Sequence, residues 1–297
     1  RVVADVFLHC EVRGLEPCPV CAEGHTSICR NFARGDLKPG MIFGVCASIP
    51  GSWSEAMLAH ESQLFPVPDE LSDRKAVLVE PLAVSVHAAL KALPPDGGRV
   101  LVIGGGSIGL CTVAALRLLG AKVHITLLGR YPFQRGLGRM LGADETPAGG
   151  ALEAASRLAG AGLYKPTLGR PVADWGFDVV FDCVGSRHSI DDGLRVTRPG
   201  GSFVLLGGAG EIPRLDWAFV WSREIKVLGS CGYGRENWRG AARHTFEVTM
   251  ELLLEHPEYP IDRIITHVFP LREYRKAIAA ALRRRESSAV KVAFAVN

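Results

Sequence analysis

The sequence predicts an α/β protein built on a doubly wound, six-stranded parallel sheet, together with a partial β-rich domain. Two observations favour this fold class. Short, wholly apolar runs such as Val100–Ile103 recur between helical stretches from residue 93 onward, and strands that are buried on both faces have this pattern. Residues 1–92 are instead rich in glycine, proline and short apolar stretches, which is typical of an irregular β-rich domain.

The turn-forming run at residues 94–98, PPDGG, marks the predicted domain boundary. Strands are predicted at residues 100–103, 123–128, 143–146, 178–184, 202–206 and 225–228, and helical crossovers between them imply a parallel sheet. Helices are predicted at 71–93 and 236–256, and a final strand at 290–296. We therefore expect residues 1–92 and 262–297 to form the β-rich domain, and residues 93–261 to form the sheet domain.

Composition excludes several classes of partner. The 297 residues carry a net charge of only +3, with the charges dispersed along the chain, so neither a nucleic acid nor a membrane partner is expected. The longest uncharged stretch, between Arg99 and Arg117, is too short and too rich in glycine for a membrane span. The chain begins at Arg1 without a visible signal peptide, so we expect a piece of a cytoplasmic protein whose N-terminal segment is missing.

A glycine-rich turn follows the first predicted strand of the sheet. Gly104, Gly106 and Gly109 have G-x-G-x-x-G spacing, and Ser107 and Ile108 begin the apolar helix that follows. The first glycine permits a tight turn, the second lets a pyrophosphate approach the backbone, and the third lets helix and strand pack closely. Strand, turn and helix in this order predict a dinucleotide site at the positive end of the helix dipole.

Four of the eight cysteines lie in the first 29 residues. Cys18, Cys21 and Cys29 have C-x2-C-x7-C spacing, and Cys10 precedes them. In a reducing compartment such clustering favours metal binding over disulfides, and four thiolates would make a structural zinc site in a lobe at residues 10–29. His25 is an alternative ligand, and buried packing of the cysteines is the alternative interpretation.

Taken together, these stretches resemble the zinc-dependent alcohol dehydrogenase family, the medium-chain dehydrogenases, in their polyol and threonine dehydrogenase-like branch. The stretches that carry the resemblance are the cysteine lobe ending in ICRN, VEPLAVSVHAAL, VLVIGGGSIG, MLGAD, FDVVFDCVG and RPGGSFVLLG. The resemblance implies a Rossmann domain beside a GroES-like catalytic domain. Family members usually space the lobe ligands C-x2-C-x2-C-x7-C, which would place the first cysteine at Leu15. Whether Cys10 supplies the fourth thiolate from a longer loop is left open.

The resemblance also implies site residues. Glu80 occupies the place of an acidic residue beside the catalytic zinc, as a direct or an exchanging ligand, and a salt bridge on a helix is the alternative. The family's other catalytic ligands, a cysteine and a His-Glu pair, would precede Arg1. Further cofactor contacts are implied at Val184, Gly185, Leu206, Gly207, Ser230 and Lys291. His87, on the helix of Glu80, is interpreted as a hydrogen-bonded residue without a ligand role.

The end of the second strand predicts which dinucleotide binds. An NAD site needs a carboxylate there for the ribose 2′-hydroxyl, but by the family pattern this position is Gly129, followed by Arg130 and, close behind, Arg135. Glycine leaves room for a 2′-phosphate, and a guanidinium binds it with two parallel hydrogen bonds. We therefore predict NADP(H) over NAD(H). Alternatively, Arg130 faces solvent or stacks on adenine.

The predicted activity is hydride transfer between NADP(H) and a secondary alcohol or polyol, or its ketone, with a catalytic zinc in the full-length protein. Two alternatives remain: a zinc-independent quinone or enoyl reductase on the same scaffold, and a non-catalytic NADPH-binding protein. The family usually forms dimers or tetramers, so a homodimer or homotetramer is expected. The identity of the substrate and the direction of the reaction do not follow from these residues.

Overall fold

The computed structural model describes residues 1–167 and 169–296, and the chain divides into two compact units. The first unit comprises Arg1–His87, Cys231–Glu258 and the segment from Ile265 onward, and the second comprises Ala88–Ser230 and Tyr259–Ile264. Residues 231–258, which the sequence assigned to the sheet domain, therefore lie in the same unit as the cysteine lobe. One reason is the buried ring of Tyr233, which packs edge-on against Phe7 with ring centroids 5.3 Å apart.

Strands and helices alternate along much of the described chain. The strands are β1 (Val2–Ala4), β2 (Leu64–Pro66), β3 (Arg99–Ile103), β4 (His124–Leu128), β5 (Leu163–Tyr164), β6 (Val172–Ala173), β7 (Phe177–Asp182), β8 (Thr197–Leu205), β9 (Lys226–Gly229), β10 (Arg235–Trp238), β11 (Ala241–His244), β12 (Ile265–Pro270) and β13 (Lys291–Ala295). The helices are α1 (Pro19–Ala22), α2 (Asp73–Ala76), α3 (Val79–Lys91), α4 (Ser107–Leu118), α5 (Pro132–Met140), α6 (Ala151–Leu158), α7 (Arg187–Val196), α8 (Ala218–Ser222), α9 (Thr245–Glu255), α10 (Tyr274–Leu282) and α11 (Arg284–Ser287). Among the described residues, no helix combines the length and apolar character needed to cross a bilayer.

The second unit contains a parallel sheet with the strand order β4-β3-β7-β8-β9. Every neighbouring pair in it is parallel, and the order reverses direction beside β3, as in a doubly wound sheet. Apolar side chains such as Leu101, Phe177 and Phe203 are almost completely buried against the crossover helices. The predicted fold class is confirmed, and β3 lies between β4 and β7 with the glycine turn at its carboxyl end.

The predicted sixth strand at residues 143–146 was wrong. In the described structure this segment forms a single isolated bridge between Glu145 and Thr126 of β4. Asp144 instead turns its carboxylate toward the edge of β4, where it accepts a hydrogen bond from the Ile125 N–H at 2.6 Å. Pro147 follows and has no N–H with which to continue the ladder.

The first unit is held together by three two-stranded pairings. β1 pairs with β2 and β10 with β11, both antiparallel, while β12 pairs with β13 in parallel. The predicted strand at 290–296 therefore exists as β13. The predicted helix at 71–93 is interrupted between α2 and α3, and the Ser72 hydroxyl caps α2 by accepting from the Lys75 N–H.

The predicted helix at 236–256 is half wrong. Its second half is α9, but its first half is the hairpin of β10 and β11. The turn between the strands places Arg239 at φ 52° and Gly240 at φ +80°. Two successive positive φ angles are the geometry of a tight hairpin turn, which an α-helix cannot contain.

Candidate dinucleotide and metal sites

The glycine turn between β3 and α4 has the geometry that its sequence predicts. A methyl group on Gly109 would lie 1.7 Å from the Gly104 carbonyl oxygen, and one on Gly104, at φ +109°, would lie 2.7 Å from the Val184 side chain. A methyl group on Gly106 would meet no atom within 4 Å. The first and third glycines are therefore required for packing, whereas the second borders open space beside the N-terminus of α4. An anion fits that space, because the N–H groups and positive dipole end of a helix favour negative charge.

The carboxyl ends of β7 and β8 approach each other closely beside this turn. Gly185, at φ +73°, and Gly207 are in backbone contact: a methyl group on Gly207 would lie 2.1 Å from the Gly185 nitrogen. The Leu206 and Gly207 N–H groups both donate to the Asp182 carbonyl oxygen, at 3.0 and 2.9 Å. The structure thus brings the predicted cofactor residues of these two strands together.

Asp182 fixes this arrangement, and the sequence reasoning missed it. Its carboxylate, fully buried at the end of β7, accepts from the N–H groups of Val184 and Gly185 and from the Ser189 hydroxyl. Burial raises the pKa of Asp182, and these three donors partly oppose the rise. Its place as the last residue of an apolar strand, in the run FDCVG, was the available signal.

Ser230 directly follows β9 and has a buried hydroxyl group. Its N–H donates to the Leu205 carbonyl at 3.0 Å. Its hydroxyl oxygen is buried and has no hydrogen-bond partner among the described residues. A buried polar atom without a partner costs free energy, so this hydroxyl fits a site where a ligand supplies the missing hydrogen bond.

The end of β4 carries cationic residues as predicted. Arg130 is exposed and lies over the Tyr131 ring at 5.6 Å. Arg135 donates from Nη1 to the Gly129 carbonyl at 3.1 Å, so its side chain lies along the same loop. A methyl group on Gly129 would contact Arg135 Cγ at 3.1 Å, which leaves little room for any side chain at this position.

The four cysteines of the lobe converge. Their Sγ atoms all lie within 4.8 Å of one another, with Cys10 and Cys29 3.6 Å apart, and Cys10, Cys18 and Cys29 are buried. A tetrahedral zinc site with bonds of about 2.3 Å separates its sulfurs by about 3.8 Å, so the donor set and spacing fit zinc. Cys10 occupies the fourth position that the sequence left open. His25 is not a member of this group.

Electrostatics within the lobe also suit a cation. Burial raises the pKa values of Cys21 and Cys29, and the charge of a neighbouring thiolate raises each of them further. For Cys18 burial also acts upward, but the Arg30 and Cys21 N–H groups and the neighbouring thiols outweigh it and lower the pKa to about 6. A bound divalent cation removes the mutual repulsion of the thiolates.

Glu80 lies in the first turn of α3 and is half-buried. Burial raises its pKa, and the positive charge of Lys291 on β13 opposes that rise. Lys291 thus lies near Glu80 within the first unit. Among the described residues, the cysteine cluster is the single group of three or more potential ligands placed for one ion, and it does not include Glu80. His87 is hydrogen-bonded as predicted, since its Nδ1 lies 2.6 Å from Glu236 Oε1.

A second buried carboxylate, Asp5, was missed. It is 2% exposed, and it accepts from the Phe7 N–H at 2.7 Å and from the Thr26 hydroxyl at 3.2 Å. Burial raises its pKa to about 6, although these donors and the Tyr233 hydroxyl oppose the rise. His244 Nε2 lies 3.9 Å away and has no hydrogen-bond partner among the described residues.

Known proteins match this chain over nearly its whole length. A family model described as zinc-binding dehydrogenase matches residues 107–247. D-arabinitol dehydrogenase 1 of Uromyces fabae is 27% identical over 281 residues, which are 94% of this chain and 70% of that protein. The chain is thus similar to zinc-binding dehydrogenases. The predicted resemblance to the polyol and threonine dehydrogenase branch of the medium-chain dehydrogenases is confirmed.

Solved structures of dehydrogenases share the fold of this chain. L-idonate 5-dehydrogenase of Escherichia coli superimposes with a TM-score of 0.76 at 23% identity, over 98% of this chain and 74% of that one, and shows the shared fold. A zinc-binding dehydrogenase of Sinorhizobium meliloti, solved with NADP bound, has a TM-score of 0.70 at 27% identity, over 94% of this chain and 72% of that one.

Proposed function

We propose that this dehydrogenase transfers a hydride between NADP(H) and a secondary alcohol or polyol, or the corresponding ketone, with the help of zinc. The observation that carries the proposal is the open glycine turn, where the space beside Gly106 meets the N-terminus of α4. The activity named for D-arabinitol dehydrogenase 1 supports a polyol as the substrate class. We also propose a cytoplasmic homodimer or homotetramer.

The residues of the chain have distinct parts in this proposal. When bound, the nicotinamide exchanges the hydride and a catalytic zinc acts as a Lewis acid on the substrate oxygen. Gly104, Gly106 and the first turn of α4, including Ser107 and Ile108, bind the pyrophosphate, and Ser230 supplies a hydrogen bond at the end of β9. Glu80 offers one carboxylate ligand to the catalytic metal, and Lys291 balances its charge.

Direct assays test the activity. The purified full-length protein is expected to reduce NADP⁺ in the presence of D-arabinitol or another polyol, followed at the absorbance of NADPH, and to lose this activity when zinc is removed. A protein that binds NADPH but oxidises none of a panel of secondary alcohols would support the non-catalytic alternative. Reduction of a quinone by the zinc-free protein would support the zinc-independent reductase.

The preference for NADP(H) is testable at Arg130. Arg130→Glu replaces the proposed phosphate ligand with a charge that repels the 2′-phosphate, so the Kd for NADPH should rise by about tenfold or more while that for NADH changes little. Arg139→Glu, an equally exposed position on α5, is the matched control. Fluorescence titration with both nucleotides measures the effect. A parent protein that binds NADH more tightly than NADPH would contradict the assignment.

We further propose that Cys10, Cys18, Cys21 and Cys29 bind a structural zinc. Metal analysis separates the two zinc roles, because Cys10→Ser should remove the structural ion and leave any ion bound through Glu80. Glu80→Gln should have the opposite effect. If the parent protein retains no zinc after purification without chelators, both metal proposals fail.

A further inference from the structure

Arg13 is a fully buried cation that belongs neither to the glycine turn nor to the four cysteine ligands. Its side chain has no exposed surface, although arginine is rarely buried completely. A guanidinium has five N–H donors, and here all five have an acceptor. The acceptors are the main-chain carbonyl oxygens of Leu8, Arg34, Leu37, Lys38 and Gly40. No carboxylate is among them.

These five carbonyls belong to the two chain segments that flank the lobe. Leu8 precedes Cys10 by two residues, and its carbonyl accepts from Arg13 Nε at 2.8 Å. The other four acceptors lie at residues 34–40, just after Cys29. The Asp36 N–H also donates back to the Arg13 carbonyl at 3.1 Å. Arg13 therefore joins the segment that enters the lobe to the segment that leaves it.

Cys10 is bound into the same turn. It stands directly before the 3-10 turn Glu11–Arg13, and its carbonyl accepts from the Arg13 and Leu15 N–H groups, each at 2.9 Å. Its sulfur accepts from the Cys18 N–H at 3.3 Å and from Asn31 Nδ2 at 3.2 Å. The turn that Arg13 closes thus holds the main chain of Cys10, while Cys18 and Asn31 orient its sulfur.

Such fixing matters because Cys10, like Cys29 on the other side, is separated from the Cys18 and Cys21 pair by a loop of seven residues. Cys18 and Cys21 lie two residues apart and share one short helical segment, whereas seven residues separate Cys10 from Cys18. A flexible loop of this length would have to lose conformational entropy each time the metal binds. A loop that Arg13 already holds through five hydrogen bonds loses less conformational entropy when the metal binds. Arg13 would in this way preorganise Cys10 without contacting the metal itself.

We propose that Arg13 is the positioning residue that makes Cys10 the fourth ligand of the lobe's metal ion. The inference rests on the structural zinc site proposed above. Lysine cannot replace arginine in this role, because its single ammonium group has three donors and cannot reach five carbonyls arranged around a planar fork.

A double-mutant cycle on the intact protein tests the proposal. The Kd for zinc is measured by competition with a chromogenic chelator, and cobalt(II) absorption reports the number of thiolate ligands. Arg13→Lys should weaken zinc binding by about tenfold or more, as loss of an outer-shell partner does, and should weaken the thiolate-to-cobalt band. In the Cys10→Ser background the same substitution should change the Kd by less than about twofold, since the residue through which it acts is gone.

Arg34→Lys is the matched control, because the Arg34 side chain is exposed in the segment that leaves the lobe. Should Arg13→Lys not fold, Gly14→Ala replaces it: Gly14 has φ +65° and ends the same turn, so alanine strains the turn and leaves every donor in place. It should weaken zinc binding measurably and again only when Cys10 is present. NADPH binding confirms in each case that the second unit is folded.

Unchanged zinc affinity in Arg13→Lys overturns the inference, and so does an equal loss with and without Cys10, which would indicate general loosening of the lobe. A parent protein that binds neither zinc nor cobalt at the four cysteines overturns the structural metal site itself. The two failures are therefore distinguishable.

Discussion

Gly106 and Gly109 of the glycine turn differ in how much an added side chain would destabilise the protein. Gly106 has ordinary extended backbone angles and open space around it, whereas Gly109 is pressed against the Gly104 carbonyl. Gly106→Ala should therefore leave the thermal unfolding temperature unchanged and weaken NADPH binding by about tenfold or more, because the methyl group occupies the space of the pyrophosphate. Gly109→Ala should destabilise the protein by several kcal/mol, as overpacking against backbone does. Equal loss of stability in both variants would contradict this view of the turn.

Asp5 and His244 make opposite contributions to the dependence of stability on pH. The pKa of Asp5 is raised to about 6, so its contribution is favourable at low pH and is lost as pH rises from about 4 through 6. Burial lowers the pKa of His244 to about 4, so its contribution is present above pH 6.5 and is lost as pH falls through 4. Each shift of two or more pH units corresponds to about 3 kcal/mol. In the native protein the two terms largely cancel between pH 4 and 6.

In Asp5→Asn, the contribution of His244 to the pH dependence of stability should no longer be offset by that of Asp5. The free energy of unfolding of this variant should fall more steeply than that of the parent on acidification from pH 6.5 to 4, by about 3 kcal/mol in total. His244→Asn should show the reverse, a gain of stability relative to the parent over the same interval. Urea titrations at several pH values measure both slopes. Parallel pH profiles for the parent and both variants would show that neither group is perturbed by its burial.

At the scale of elements, the hairpin of β10 and β11 shows where local pattern fails. Residues 236–256 contain enough helix formers to predict one continuous helix, yet a chain reversal at Arg239 and Gly240 joins β10 to β11 in a hairpin, and only α9 is helical. The preference of Arg-Gly for such a turn is weak in isolation. It prevails here because Trp238 Nε1 and Arg239 both bind Glu251 on α9, a contact between elements that no local window of sequence contains.

A pair of glycine substitutions tests this turn. Gly240→Ala introduces a side chain at φ +80° in open space, so only backbone strain opposes it, and a loss of about 1 kcal/mol is expected. Gly136→Ala, the same chemical change inside α5 and also in open space, should instead stabilise by about 0.5–1 kcal/mol. Thermal unfolding of the two variants should shift in opposite directions. Shifts of the same sign would indicate that residues 239–240 do not form the turn described.

The elements that were predicted correctly share one property. β3, β4, β7, the end of β8 and α4 are mostly apolar runs bounded by glycine or polar turns, so burial determines their type. The cysteine spacing predicted three ligands from residues adjacent in sequence. The roles of Asp182, Asp5 and Arg13 depend instead on carbonyl and N–H groups brought close by folding, and a single sequence gives no local signal for such contacts.

At the scale of the whole molecule, the two units carry different ligand sites. The cysteine cluster belongs to the first unit and the glycine turn to the second. Removal of the structural zinc should therefore lower the unfolding temperature of the first unit, while NADPH should raise that of the second, because each ligand stabilises the unit that binds it. Calorimetry with chelator, with NADPH and with both measures this. Identical shifts of a single transition under all conditions would show that the units unfold as one.

The composition of the first unit from three separate stretches of chain has a consequence during synthesis. The second unit is complete in sequence, apart from residues 259–264, before Cys231 leaves the ribosome. At roughly 5–20 residues per second, Cys231 is made roughly ten to forty seconds after Cys29. The nascent thiols therefore wait, without the stretch Cys231–Glu258 of their own unit, while the second unit is synthesised. Early capture of the metal ion would protect them from oxidation and from mispairing in that interval.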